Sequence, residues 1–489
     1  MAEIKHSEQQ VSIFNWFKDG EGNLVIRARA GTGKTYTVVK AIEFAPENKI
    51  LMAAFNKRIA QELKEKIKNP KAEAKTLHSV GCGFVYRNWE GAQLSDDRGE
   101  RLARASLPAG APDQVVRLTA RLAAIGKNAC PFPEPGDLAE YAYQFDLDPD
   151  EYLEEQGWTV DRIAVAAEKA MTLACQRDGT FDFDDMVFIP VRNGWVRPKY
   201  DLVVIDEAQD MNASQLMLAM KVCKKGGRIA VVGDDRQAIY GFRGADSNSI
   251  DRLKGELVAH ELGLTITYRC PKLVVDLAKA IVPDYTAAPE APQGIVREAG
   301  YETMITEAGP GDFVLSRKNA PLMKVCLKFI AQGRRAMIEG REIGTGLINV
   351  IKAVKGKSMP DFLERLTKWE EKQRARLLKT GKKAAEKKAE YITDQAECLR
   401  AVATAPDVKS IDSMKAKIMD MFGETAGGKH DYIVCSSVHK AKGLERKRVW
   451  GLVETLYPGG RRTNIEEQNI HYVMVTRAQE EFVAVTGIN

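Results

Sequence analysis

Short apolar runs recur along the chain, each followed by a polar turn and then by a stretch with helical spacing. They are Leu24–Ile26, Ile50–Ala54, Leu202–Ile205, Ile229–Val232, Phe313–Leu315, Tyr432–Cys435 and Val449–Val453. A strand that is apolar at every position is buried on both faces, and strands alternating with helices build a parallel sheet between helical layers. The pattern predicts an α/β fold. Its rhythm breaks twice, over roughly 89–175 and 346–430. The first stretch is rich in helix formers and is interrupted by CPFPEPG (130–136). The second contains residues 361–400, where Phe362, Leu363, Leu366 and Trp369 mark an apolar helical face and Lys and Arg crowd the other side. That stretch reads either as a solvated helical hairpin or as a surface for nucleic acid or a partner. VPDYTAAPEAPQG (282–294) reads as a loop, and no repeat of solenoid period is present.

Composition narrows this only slightly. A chain of 489 residues has room for about three domains, and 44% hydrophobic content supplies several cores. Lys and Arg total 72 against 67 acids, a net charge of +5. So mild an excess fits a nucleic-acid partner and fits many proteins without one. The eight cysteines form no CxxC pair and the six histidines no HExxH, which excludes the common zinc spacings. MAEIKHSEQQ at the N-terminus lacks an apolar signal core, and no apolar run is long enough to span a bilayer. The expectation is a soluble, cytoplasmic protein with reduced thiols.

The chemistry-bearing residues sit at the ends of the apolar runs. Leu24–Ile26 leads into ARAGTGKT (28–35), a strand, phosphate loop and helix start. Backbone N–H groups of Ala28, Gly31, Thr32 and Gly33 would cradle phosphate oxygens. Lys34 would reach the β- and γ-phosphates of ATP, and the Thr35 hydroxyl would hold Mg²⁺. Leu202–Ile205 delivers Asp206 and Glu207. Such a pair divides the labour, Asp206 holding the metal and Glu207 orienting and deprotonating the attacking water. Ile229–Val232 runs into GDDRQAIYGFRGA (233–245), where Gln237 can bond a γ-phosphate or its attacking water. Tyr240, Phe242 and Arg243 follow as an aromatic and basic cluster suited to stacking on unpaired bases.

In this order the motifs resemble superfamily 1 DNA helicases of the UvrD/Rep type. SEQQ (7–10) is similar to the family's adenine-reading glutamine motif, AAFNKRIAQELKEKI (53–67) and TLHSV (76–80) to its early DNA-contact motifs. DFDDMV (182–187) precedes VVIDEAQD (203–210), which is similar to the acidic motif. TYRCP (267–271), SSVHKAKGLE (436–445) and HYVMVTRAQ (471–479) resemble motifs of the second half. The resemblance implies that Gln9 or Gln10 reads adenine and that Tyr268 stacks on it. It implies that Arg269 and Arg477 reach the γ-phosphate and that Glu445 contacts the ribose. Phe55, Asn56, Thr76 and His78 would line a DNA face together with Tyr240, Phe242 and Arg243, and Ser437 and His439 would contact DNA from the second half.

The fold implied is two RecA-like parallel-sheet domains with two inserted, mainly helical subdomains. Domain 1A would take 1–88 and 176–262, insertion 1B 89–175, domain 2A 263–345 and 431–489, and insertion 2B 346–430. The second insertion is shorter than in the larger members. Tyr36 stands where they often carry arginine, and Phe242 where they have a stacking tryptophan. No segment remains after the last motif for a fused nuclease, and the compact layout resembles helicases of phages or mobile elements. The activity implied is an ATP-dependent helicase moving 3′ to 5′ on single-stranded DNA, with ATP between the lobes. Its partners would be single-stranded DNA, single-/double-strand junctions and replication, repair or recombination proteins, with no membrane and a monomeric motor core. The alternatives are a translocase that strips proteins from DNA with little unwinding, and a nucleotide-switched DNA-binding module that recruits partners.

Overall fold

The computed structural model describes residues 6–145, 147–149, 151–239, 249–378, 383–423, 431–458 and 464–487. The chain forms two compact units, Met1–Arg29 with Gly33–Leu264, and Ala30–Thr32 with Thr265–Asn489.

Six described strands build the main sheet of the first unit. They are β1 (Leu24–Ala28), β2 (Ile50–Ala54), β3 (Ala72–Thr76), β6 (Tyr200–Ile205), β7 (Cys223–Gly233) and β8 (His260–Leu264). Two short strands, β4 (Gln93–Leu94) and β5 (Thr180–Phe181), pair with each other apart from it. The order is β3-β2-β6-β7-β1-β8, and every pairing is parallel. The register sets Leu24 between Ala230 and His260, and Ile50 opposite Leu202.

Alternation explains why the central strands are apolar throughout. Leu24, Ile26, Ile50, Met52, Leu202 and Val204 face a core shared with Ile13, Phe17, Val38 and Ile42. Val25, Leu51, Val203 and Ile205 face a second core with Leu216, Leu218 and Val222. Each fully buried Val, Leu or Ile contributes about 1.5–3 kcal/mol, so both faces draw stability from the same short runs. The edge strands lack this signature. β3 reads AEAKT and is half-exposed along its whole length, and β8 begins with exposed His260 and Glu261.

Helices Arg98–Ser106, Asp113–Asn128, Pro135–Gln144 and Val160–Ala174 fill the first break in the rhythm. They have a core of their own around Leu102, Val116, Leu122, Leu138, Ile163 and Met171. A buried ion cluster joins them to helix Asp185–Arg192. Arg98, fully buried, bonds Asp185 and lies 3.0 Å from Asp178. Lys127 lies 2.7 Å from Asp182 and 2.8 Å from Asp185.

The second unit holds strands β9 (Ile266–Thr267) and β10 (Thr286–Ala287), which pair, and a seven-stranded parallel sheet. Its strands are β11 (Ile295–Gly300), β12 (Phe313–Ser316), β13 (Ala336–Glu339), β14 (Phe422–Gly423), β15 (Ile433–Ser437), β16 (Arg446–Leu452) and β17 (Ala478–Thr486), in the order β11-β17-β16-β12-β15-β13-β14. The segment expected as a loop at 282–294 thus contributes the short strand β10. Val453, expected at the end of a strand, starts a 3₁₀ turn instead.

The second break is helical as well: Arg341–Val354, Met359–Leu378, Lys383–Ala403 and Ile411–Met421. Phe362 and Leu366 are fully buried, with Leu363 and Trp369 packed beside them. Unlike the first helical group, this one shares a single core with its sheet, running from Val314, Cys435 and Trp450 to Leu399 and Ile418. Asp394 of the hairpin reinforces the junction. Its carboxylate accepts the N–H groups of Asn319 (3.0 Å) and Ala320 (2.8 Å), capping helix Asn319–Ala331.

Candidate functional site

β1 ends at Ala28, and the glycines of the loop that follows take conformations that are costly for residues with a Cβ. Gly31 and Gly33 have φ of 68° and 75°. Gly33 is the N-cap of helix Lys34–Ile42 and brings no capping side chain. The N–H groups of the first helical turn therefore remain for an anion, reinforced by the helix dipole.

Opposite this start, β6 delivers the acids. Asp206 is 1% exposed and its Oδ1 accepts the Glu207 N–H at 3.0 Å. Glu207 has a φ of 51° and a ψ of 43°. A left-handed conformation costs roughly 1–2 kcal/mol for a residue with a Cβ, and here it turns the carboxylate toward Lys34. Lys34 Nζ lies 3.2 Å from Glu207 Oε1. Gln209, buried, donates to Glu207 Oε2 at 2.5 Å and accepts the Asp234 N–H at 3.1 Å. Asp234 in turn accepts the Gln237 amide at 2.6 Å. Lys34, Asp206, Glu207 and Gln237 thus come together in one constellation. Gln209 and Asp234, which the sequence reading did not single out, hold it in place.

The electrostatics fit a phosphate and a cation. Burial works against the Lys34 ammonium, yet Glu207, Asp234 and Asp206 more than offset it and raise its pKa. Burial, then the charge of Glu207, pushes Asp206 up to about 7. A carboxylate short of counter-charge in this way is a natural ligand for a divalent ion, with Thr35 in the first turn of the facing helix. Among the described residues no group of three His, Cys, Asp or Glu could hold a metal alone.

Of the two glutamines left open by the sequence, Gln10 faces the loop. It is buried, donates to Thr37 Oγ1 at 3.0 Å, and its Nε2 is 4.0 Å from where a Cβ on Gly33 would lie. Gln9 is only partly buried.

Phe55, Asn56, Thr76 and His78 line one cavity of about 1610 Å³ in the first unit. Asn56 and Thr76 also cap helices, accepting the Ile59 N–H at 2.9 Å and the Ser79 N–H at 3.1 Å. The His78 ring stacks on Phe183 with centroids 4.0 Å apart and planes 21° off parallel. Burial lowers His78 to about 4, so it is neutral near pH 7. Asp184, on the same wall, is pushed up to about 6 by burial and then by Asp182. Phe183 and Asp184 were missed as lining residues. The available signal was an aromatic side chain set among the acids of DFDDMV, and it is 57% exposed. Tyr240, Phe242 and Arg243 lie outside the described residues.

In the second unit Arg269 and Glu445 form an ion pair, and Glu445 also accepts the Gln479 amide at 3.0 Å. Arg477 is 1% exposed and donates to the carbonyls of Val473 (3.0 Å) and Leu444 (3.2 Å). Burial, then Arg269, lowers Arg477 to about 10. Tyr268 is 52% exposed, free to offer a ring face. Ser437 is buried at the end of β15, and His439 is partly buried on the short helix Val438–Ala441.

Two parallel α/β units with a glycine loop entering a helix opposite a strand-end acid pair define a RecA-like, phosphate-loop protein. The UvrD/REP helicase N-terminal domain matches residues 7–257, just over half of the chain, and the chain belongs to that family. It is similar to the ATP-dependent DNA helicase PcrA of Leuconostoc citreum, 23% identical over 324 residues, which cover 60% of this chain and 42% of the relative. The protein of the same name from Staphylococcus aureus strain Mu50 is 23% identical over 325 residues, 61% of this chain and 43% of the relative. That of Staphylococcus epidermidis is 24% identical over 298 residues, 57% and 40%. The match thus spans about two fifths of the length of these relatives.

Proposed function

We propose that the chain is an ATP-dependent DNA helicase, moving 3′ to 5′ on single-stranded DNA in replication, repair or recombination. The observation that carries this is the linked set Lys34–Glu207–Gln209–Asp234–Gln237, in the same unit as a cavity lined by aromatic and polar side chains. Lys34 and the first helical turn bind the phosphates. Glu207 takes the proton of the attacking water, and Gln237 orients that water or the γ-phosphate. Thr35 and Asp206 would hold Mg²⁺, which when bound neutralises charge on the phosphate oxygens. Gln10 and Tyr268 are assigned to adenine and Glu445 to ribose. Arg269 and Arg477 are assigned to charge on the transferring phosphoryl group. Insertions are assigned to 89–175 and 346–430, and an intracellular setting goes with a DNA substrate. No helix among the described residues is long and apolar enough to cross a membrane.

The test is ATP turnover with and without single-stranded DNA, alongside displacement of strands bearing 3′ or 5′ tails. DNA-stimulated turnover with displacement from the 3′ tail supports the proposal. Stimulated turnover without displacement indicates a protein-stripping translocase. Turnover indifferent to DNA overturns both and leaves a nucleotide-switched binding module. Lys34→Ala should abolish turnover and serves as the control.

Asp184 should make DNA binding pH-dependent. A carboxyl raised to about 6 is neutral below that pH and anionic above it, and an anion in the cavity opposes phosphate. Affinity for an oligonucleotide at fixed ionic strength should fall as pH rises from about 5 to about 7.5. Asp184→Asn should flatten the profile. His78 stays neutral throughout this range, so an unchanged profile in Asp184→Asn would refute the assignment.

A further inference from the structure

Arg29, the second residue of the phosphate loop sequence, is only 6% exposed. A guanidinium does not give up its charge in a protein, so its burial calls for acceptors around it, and carboxylates offset the charge best. Asp234 Oδ1 lies 3.1 Å and Asp235 Oδ1 2.8 Å from Arg29 Nη1. The two oxygens of Asp234 are then divided between partners. Oδ1 faces Arg29 and the Arg236 N–H (3.2 Å), and Oδ2 accepts the Gln237 amide at 2.6 Å. From the Asp234 N–H the path continues through Gln209 (3.1 Å) and Glu207 (2.5 Å) to Lys34 (3.2 Å). Polar contacts therefore leave the phosphate loop at Arg29, pass the end of β7 and the acid pair, and return to the same loop at Lys34.

We propose that Arg29 is a positioning residue for ATP hydrolysis, acting through Asp234 to hold the Gln237 amide in place. The proposal rests on the ATPase reading above and adds a residue to it. Arg29 and Lys34 both offset the buried charge of Asp234; without Arg29 the carboxylate loses the guanidinium that holds its Oδ1 while Oδ2 accepts the Gln237 amide. The Gln237 amide then loses a fixed acceptor, and a misplacement of about 1 Å at a reacting centre costs up to roughly 10²-fold in rate. Phosphate binding, which depends on Lys34 and the helix start, should be little affected.

The test uses the full chain. Arg29→Met should lower kcat for ATP about tenfold or more and leave the equilibrium affinity for a fluorescent ATP analogue within about twofold. Arg29→Lys, which can still meet one carboxylate, should recover part of kcat. In a Gln237→Ala background, Arg29→Met should cost less than about twofold more, because the two residues act as one unit. Should Arg29→Met fail to fold, Arg29→Lys with and without Gln237→Ala makes the same comparison. Unchanged kcat, or losses from Arg29 and Gln237 that multiply independently, would overturn the proposal while ATP turnover by the unaltered protein stands. Absence of turnover in the unaltered protein would instead sink the ATPase reading itself.

Discussion

Glutamine in place of Glu207 is expected to slow ATP turnover by roughly 10²–10⁴-fold and to leave ATP bound. The replacement keeps the size of the side chain and an oxygen that can face Lys34, but it cannot take a proton from water. Glutamine pays the same backbone cost as glutamate for a φ of 51°, so the turn after β6 should survive. Losing the anion also removes the largest charge favouring the Lys34 ammonium. Asp234 and Asp206 remain, and the lysine stays charged for phosphate. Steady-state turnover and equilibrium binding of a fluorescent ATP analogue, measured side by side, separate the two effects. Near-normal turnover in Glu207→Gln would show that another group accepts the proton.

The second large effect concerns stability. Asp185→Ala should destabilise the protein by about 3–5 kcal/mol, the range for breaking a buried ion pair by removing one partner. Asp185 is fully buried and meets two cations that are themselves buried, Arg98 and Lys127. It also accepts the Asp182 N–H at 3.0 Å and so fixes the turn that presents Phe183 to the cavity. Removing it strands positive charge between the first helical group and helix Asp185–Arg192. Urea-induced unfolding gives the cost directly. Glu154→Ala, at an exposed position, should change stability by less than about 0.5 kcal/mol. If both variants unfold alike, the cluster is not a stabilising joint.

Much of the fold was legible because burial on two faces leaves an unbroken apolar run. All seven such runs became strands of the two sheets. β3 and β8 escaped notice because they lie at sheet edges, where half-exposure permits AEAKT and HELGL; β13 and β17 escaped it although they lie inside their sheet. The candidate site was partly legible for the same reason: Asp206 and Glu207 are conspicuous as acids closing an apolar strand. Arg29, Gln209 and Asp234 were not. Their meaning lies in contacts across as many as 206 positions of sequence, which no local pattern encodes. The stack of His78 on Phe183 was hidden likewise, since the two rings come from segments about a hundred residues apart.

The order of strands in space has a consequence for the order of events during synthesis. β1 leaves the ribosome early, yet both its neighbours, β7 and β8, are made some two hundred residues later. The nascent chain must carry β1, apolar and unpaired on both edges, until residues 223–264 emerge. Meanwhile the helices between Arg98 and Ala174 can begin to pack on one another, their core being completed by Phe181, Phe188 and Ile189 soon after. The second unit repeats the arrangement, because its first sheet strand, β11, pairs only with its last, β17. Each unit is sealed by its final strand. A message truncated a little before the codon for Leu264 therefore yields a polypeptide with an open, sticky edge rather than a slightly smaller domain.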